Sequence, residues 1–236
     1  MAPIRGPGVN RRSFLAILAA ATGLGWLGLR GGGGGVPIIP GPARTDEESW
    51  RKLLAELSGL AIADPEIRPL LTGEQVARRW LGEPPAEEEE IATAERRLGT
   101  RLPGSYRAFL RVSNGWHHPS SFVGLVSPVA AVAPFAQANR DWAMAYVAPS
   151  LAATAAGALR PDPVGQHILG TLQLSRYDHE AGDDAVMLLN PATLSAAGEM
   201  EAWFFANWVP GANIYPSFWH LMVAERDSLR YIASRR

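Results

Sequence analysis

Residues 87–115 read EEEEIATAERRLGTRLPGSYRAFLRVSNG, and their spacing predicts two short helices joined at a tight corner. Ile91, Ala94, Glu95 and Leu98 recur at i, i+3, i+4 and i+7, which gathers small and apolar side chains on one helix face. Glu87 to Glu90 stand at the end where a helix dipole favours negative charge. Gly99 suits the left-handed residue that closes a helix. Pro103 then opens the second helix, where a missing N–H costs nothing. Tyr106, Phe109 and Leu110 form its apolar face, and Asn114-Gly115 stop it. The stretch supplies packing residues and no catalytic pattern.

Upstream, Trp50, Leu53, Leu54 and Leu57 repeat the helical spacing behind an acidic start at Asp46, Glu47 and Glu48. The segment from Asp64 to Leu81 is less regular and leads through Trp80-Leu81-Gly82 and Pro84-Pro85 into the helix pair. Farther back, Asn10-Arg11-Arg12-Ser13-Phe14-Leu15 resembles a twin-arginine export signal, with Arg11, Arg12, Phe14 and Leu15 as its defining residues. An apolar run to Leu29 follows, shorter than the ~20 residues that comfortably span a bilayer. Gly41-Pro42-Ala43 is a poor cleavage site, so cleavage and retention as a membrane anchor both stay open. Residues 31–45, rich in Gly and Pro, form a tether that reaches roughly 20 Å. The expected organisation is a signal or anchor over 1–30, a linker over 31–45 and one domain over 46–236.

Downstream, Ala143 to Leu159 is Ala-rich and helical in character, with an expected interruption at Pro149. Leu172, Leu174 and Arg176 alternate with Gln173, Ser175 and Tyr177 as in a strand, and Ala185 to Leu189 is a second, continuous apolar strand. Asp178 to Asp184 is then their hairpin loop. From Glu201 to Val209 aromatic residues point both ways, Trp203 and Phe205 on one face and Phe204 and Trp208 on the other. A strand of that kind is covered on both sides. Ser217 caps a closing helix with Phe218, Leu221, Met222, Leu229 and Ile232 on its inner face.

The 236 residues include eight Trp and 47% hydrophobic residues, enough for a substantial core. There is no Cys, which excludes disulfides and thiolate metal sites. Residues 1–43 hold a charge of +4, which leaves a body of −5. A mildly acidic body excludes nucleic acid as an expected partner, since that affinity comes mainly from neutralising phosphates.

Trp80-Leu81-Gly82 and the run from Glu89 to Gly115, with its LP-x-SYR-x-FL and closing NG, resemble the opening signature of the SUKH superfamily. Leu172-Gln173-Leu174-Ser175, Met187-Leu188-Leu189-Asn190-Pro191 and the segments from Glu201 and from Tyr215 resemble its strands and closing helix. The resemblance implies an α+β domain, an antiparallel-rich sheet with helices packed around it. It also implies a binding role without catalysis. Bacterial members are largely immunity proteins that neutralise a cognate polymorphic toxin, and eukaryotic members are regulatory scaffolds.

The residues themselves offer two clusters to weigh against that reading. Asp178, His179, Glu180, Asp183 and Asp184 are dense in oxygen ligands, yet lack the alternation of a calcium-binding loop. Both a cation site and a solvated hairpin fit them. Trp116-His117-His118 follows the Asn-Gly stop, and neighbouring imidazoles can share a metal or titrate near neutral pH. Trp116 packing beneath two water-facing imidazoles is the plainer account, and His220 reads as packing in the closing helix. The expectation is a non-enzymatic, exported or tethered protein-binding domain with no cofactor and no metal. Its partner-contacting residues are expected among Trp116, His117, His118, Tyr177, Asp178, His179, Asp183 and Asp184. A cell-envelope scaffold and a metal-dependent envelope hydrolase are the alternatives.

Overall fold

A computed structural model describes residues 41–155, 162–176, 185–209 and 211–236. Among these residues the fold is α+β, with eight α-helices and two antiparallel sheets. Helix α1 (Glu47–Ala63) comes first, capped by the Asp46 carboxylate on the Ser49 amide, and it buries Trp50, Leu53, Leu54 and Leu57 as the spacing requires. A 3-10 turn (Arg68–Leu70) and the short α2 (Gly73–Arg78) follow, and account for the irregular segment.

The helix pair forms as α3 (Glu88–Leu98) and α4 (Gly104–Val112). Gly99 closes α3 at φ +67°, in the left-handed region that glycine enters without a steric penalty. The acidic start does more than favour the dipole. Glu87 and Glu90 form a reciprocal capping box, the Glu90 side chain accepting from the Glu87 amide at 2.8 Å. Helix α4 departs from expectation at both ends. Pro103 stands outside it as the cap residue, and Val112 rather than Asn114 is its last residue. The Asn114 carboxamide instead accepts from the Val129 amide at 2.8 Å, and Gly115, at φ +131°, turns the chain into the first strand.

The N-terminus of α4 is completed from far along the chain. The buried Glu199 carboxylate accepts from the Ser105 amide at 2.9 Å and from the Ser105 hydroxyl at 2.5 Å. An anion at that position meets the unpaired first-turn amide and the positive end of the dipole together.

Strands β1 (Trp116–His117) and β2 (Leu125–Val126) precede β3 (Ala133–Pro134), α5 (Phe135–Ala138), α6 (Arg140–Ala155) and α7 (Pro163–His167). After these come β4 (Leu172–Gln173), β5 (Ser175–Arg176), β6 (Ala185–Leu194), β7 (Met200–Ala206), β8 (Ala212–Tyr215) and α8 (Phe218–Ser234). The larger sheet runs β3-β4-β6-β7-β8 and the smaller β1-β2-β5. The alternating run from Leu172 is therefore two strands, not one. At Leu174 the amide bonds the Met187 carbonyl of β6 and the carbonyl accepts from Ser127, so the chain passes from one sheet to the other there. Strand β6 continues to Leu194, past Pro191, with a register shift against β7 between Asn190 and Leu194. A bulge of this kind accommodates a residue that has no amide to donate.

Helix α6 overturns a second expectation, because it continues through Pro149. Pro149 is exposed, so the carbonyl it leaves without a donor is open to water. Glycine lets α7 lie directly on the same helix. A Cβ at Gly165 would stand 2.3 Å from the Ser150 Cβ and 2.6 Å from the Tyr146 carbonyl oxygen. That close approach grips α6 on both sides of the proline.

Each face of the larger sheet carries its own core. Met187, Leu189, Ala202, Phe204 and Tyr215 pack with α1, α4 and α8. Val186, Leu188, Trp203 and Phe205 pack with Phe135, Ala143, Val147, Val164 and Ile168. The two-faced aromatic strand is covered on both sides, as its pattern requires. Ser217 caps α8 through the His220 amide.

Candidate functional site

The smaller sheet is where the expected contact residues meet the described structure. Its register aligns His117 with Leu125, and Leu125 with Arg176. Side chains opposite one another in antiparallel strands share a face. Trp116, Val126 and Ser175 consequently share the other face, and all three are buried. The outward row of His117, Leu125 and Arg176 is partly or fully exposed. Positions 117 and 176 are far apart in sequence, and β2 brings them onto one surface.

The Trp-Leu-Gly motif explains how this sheet is held. Leu81 to Glu83 lies along the free side of β1, with the His117 amide on the Leu81 carbonyl at 3.0 Å and the Glu83 amide on the Gly115 carbonyl at 3.2 Å. Only glycine fits between them. A Cβ at Gly82 would stand 2.8 Å from the Trp116 ring and 2.3 Å from the Ser113 hydroxyl. The approach brings the Glu83 carboxylate to 2.7 Å from His117 Nε2. The outward row thus presents an imidazole–carboxylate pair, an aliphatic side chain and a guanidinium.

Trp116 leaves the list of surface contacts. Its side chain is fully buried, edge-on to Trp80 with ring centroids 5.0 Å apart, and its indole N–H has no hydrogen-bond partner among the described residues. The large apolar ring lies on the inward side of β1, so the sheet alternation alone removes it from the surface. His118 lies past the strand at φ +46°, with its amide on the Gly124 carbonyl at 2.8 Å. Tyr177, Asp178, His179, Asp183 and Asp184 lie outside the described residues, as do Arg11, Arg12, Phe14 and Leu15.

Beneath the β1–β2 connection stands a group that the sequence did not single out. Glu225 of α8 is buried, and burial pushes its carboxyl up to about 8, offset in part by a hydrogen bond from Ser120. Burial also raises the Tyr215 phenol, with the Glu225 charge adding to the effect. Ser120 in turn accepts from the Phe122 and Val123 amides at 3.2 and 3.3 Å, which fixes the connection. His220 packs as expected. Its Nδ1 meets the Ser217 hydroxyl at 2.7 Å and its Nε2 the Gly41 carbonyl at 3.1 Å.

A second surface lies on α6. From Trp142 to Ala155 this helix carries no charged residue, and it exposes Met144 and Leu151 to solvent. Its apolar residues all round suggest burial, yet one side is open. The absence of charge is the signal in the sequence that marks this helix apart. Among the described residues no group of three His, Cys, Asp or Glu is placed to hold a metal ion, and no helix is long and apolar enough to cross a membrane.

Residues 85–189 match the family model described as the SMI1 / KNR4 family (SUKH-1). Over those residues the chain is similar to SUKH-type domains. The match spans the helix pair, the smaller sheet and the first half of β6, and so includes the outward row. The aromatic strand β7, β8 and α8 lie beyond the matched residues. No curated protein matches the chain.

Proposed function

We propose that the chain is a non-enzymatic protein-binding domain that neutralises a cognate toxin in the manner of SUKH immunity proteins. The match over residues 85–189 carries this reading. The outward row of His117, Leu125 and Arg176 supplies a face that combines an imidazole–carboxylate pair, an aliphatic side chain and a guanidinium, groups that suit a mixed polar and apolar protein surface. The acidic body favours a basic partner. The N-terminal Arg11-Arg12 pattern supports export, with the domain released or held at the envelope by residues 1–45.

The test is co-purification with the products of the neighbouring genes, a toxin among them. A stable complex that abolishes toxicity is expected, with affinity at least tenfold weaker for the His117→Ala, Arg176→Glu double variant. Recovery of ribosomal and housekeeping proteins alone counts against it. Export is tested separately by changing Arg11 and Arg12 to Lys, which should move the protein out of the envelope fraction. Scaffolding without a toxin is the second reading. The exposed apolar side of α6 favours it, because that surface is available to a second protein while the outward row is occupied.

A further inference from the structure

The far edge of the larger sheet holds a surface separate from the outward row. Strand β8 ends the order β3-β4-β6-β7-β8, and among the described residues its ladder pairs with β7 alone. Such an edge offers unpaired amides and carbonyls to another strand. Beside it lies a cleft of about 340 Å³ that includes Leu194, Ile214 and Pro216 with Glu199 and Glu201. Leu194 is 63% exposed there, a large aliphatic side chain open to solvent.

The charge in this cleft is not neutralised. Among the described residues both carboxylates meet neutral donors: Glu199 the Ser105 amide and hydroxyl, and Glu201 the Trp203 indole at 3.3 Å. Glu199 is also nearly buried, which weakens its screening by water. A cation brought by a partner would gain from both. Ile214 stands opposite Trp203, so it shares that strand face with Glu201, two residues before Trp203.

We propose that β8 and this cleft bind an extended segment of a partner protein by strand addition, with an aliphatic residue and an Arg or Lys two positions away on the face toward the cleft. Main-chain bonds to the open edge hold the segment. The aliphatic side chain covers Leu194 and Ile214, and the cation lies against Glu201 and Glu199. The spacing of two follows from the strand period, and the sign of the charge follows from the carboxylates. The proposal is independent of the toxin reading, which uses the outward row of the smaller sheet.

A random-peptide phage library panned against the full chain is the probe. Enrichment of sequences with an aliphatic and a basic residue at i and i+2 is expected. A synthetic peptide of that kind should bind at least tenfold more weakly to Glu201→Gln and to Leu194→Ser, and should slow amide exchange across residues 212–215. Both substitutions are mild and leave the core untouched, and circular dichroism checks that each variant is folded. No enrichment, or enriched peptides that bind both variants as well as the parent, overturns the proposal. A dimer in light scattering that Leu194→Ser converts to monomer assigns the edge to a second copy and overturns it equally.

Discussion

On one face of the larger sheet Met187, Leu189, Phe204 and Tyr215 meet α1, α4 and α8, whereas on the other Val186, Leu188, Trp203 and Phe205 meet the shorter α5 and α7 and the proline-bearing α6. The helices of the first face have one apolar side and explicit caps: Asp46 on α1, Glu199 on α4 and Ser217 on α8. Trp50 joins all three, packed within 5.4 Å of the Phe109 ring, 5.7 Å of Phe218 and 5.0 Å of Trp219. The second face centres on Phe205, ringed by Phe135, Trp142 and Tyr146, and of these Trp142 and Tyr146 are only partly covered. The first face is a closed core, and the second is a thinner cover that leaves apolar surface for others.

Truncation on each side is the largest way to break this contrast. Trp50→Ala should cost about 3–5 kcal/mol, because the helices around it cannot collapse together without leaving their caps. Phe135→Ala should fall near the lower end of that ~3–5 kcal/mol range, since partly exposed neighbours can close over the gap. Denaturant titration measures both. Native-state amide exchange should show global opening for the first and opening confined to α5–α7 for the second. Equal, global opening in both variants would erase the distinction.

Next in size is the distant cap. Glu199→Ala should destabilise by about 2 kcal/mol, as it removes two charge-assisted bonds from the start of α4. The midpoint of denaturation should fall with the slope unchanged.

Glu225 ties the first face to pH. Its folded-state carboxyl is raised from 4.5 to about 8, so the folded protein keeps a proton that the unfolded chain has already released. Its contribution is complete below about 4.5 and is lost as the pH rises through about 8. Ser120 and Tyr215 are the groups that face it. Stability should therefore decline across that window by at most ~1.4 kcal/mol per pH unit. Glu225→Gln should flatten this part of the profile, and an unchanged profile would show that Glu225 stays hydrated.

The smallest effect concerns Tyr106, whose buried hydroxyl has no hydrogen-bond partner among the described residues. Tyr106→Phe should be neutral or stabilise the fold by up to about 1 kcal/mol, because a desolvated hydroxyl returns nothing. A loss larger than that in thermal unfolding would reveal a partner for the hydroxyl.

Legibility followed the same division. On the first face the spacing of Trp50 to Leu57, the Gly99 stop and the Ser217 cap were all readable, since each is a local pattern with one apolar side. The α+β class and the two-faced character of Trp203 to Phe205 were readable for the same reason. On the second face Pro149 predicts an interruption that α6 does not have, because Gly165 of a different helix packs against it. The pairing of Leu172 to Arg176 was misjudged because Leu174 divides its bonds between two sheets. Of the candidate site, the neighbourhood of His117 and the packing of Trp116 were legible, and the strand that carries both was not.

By itself the sequence determined the capped helices, the covered aromatic strand and the resemblance to the SUKH superfamily, because caps, stops and periodicity act between residues a turn or two apart. Tertiary structure alone decided which distant groups meet. It set Glu199 on the first turn of α4, Glu83 against His117, Arg176 in line with Leu125, and Glu225 in a place that keeps its proton. Those pairings depend on where the chain crosses itself, and no local pattern records a crossing.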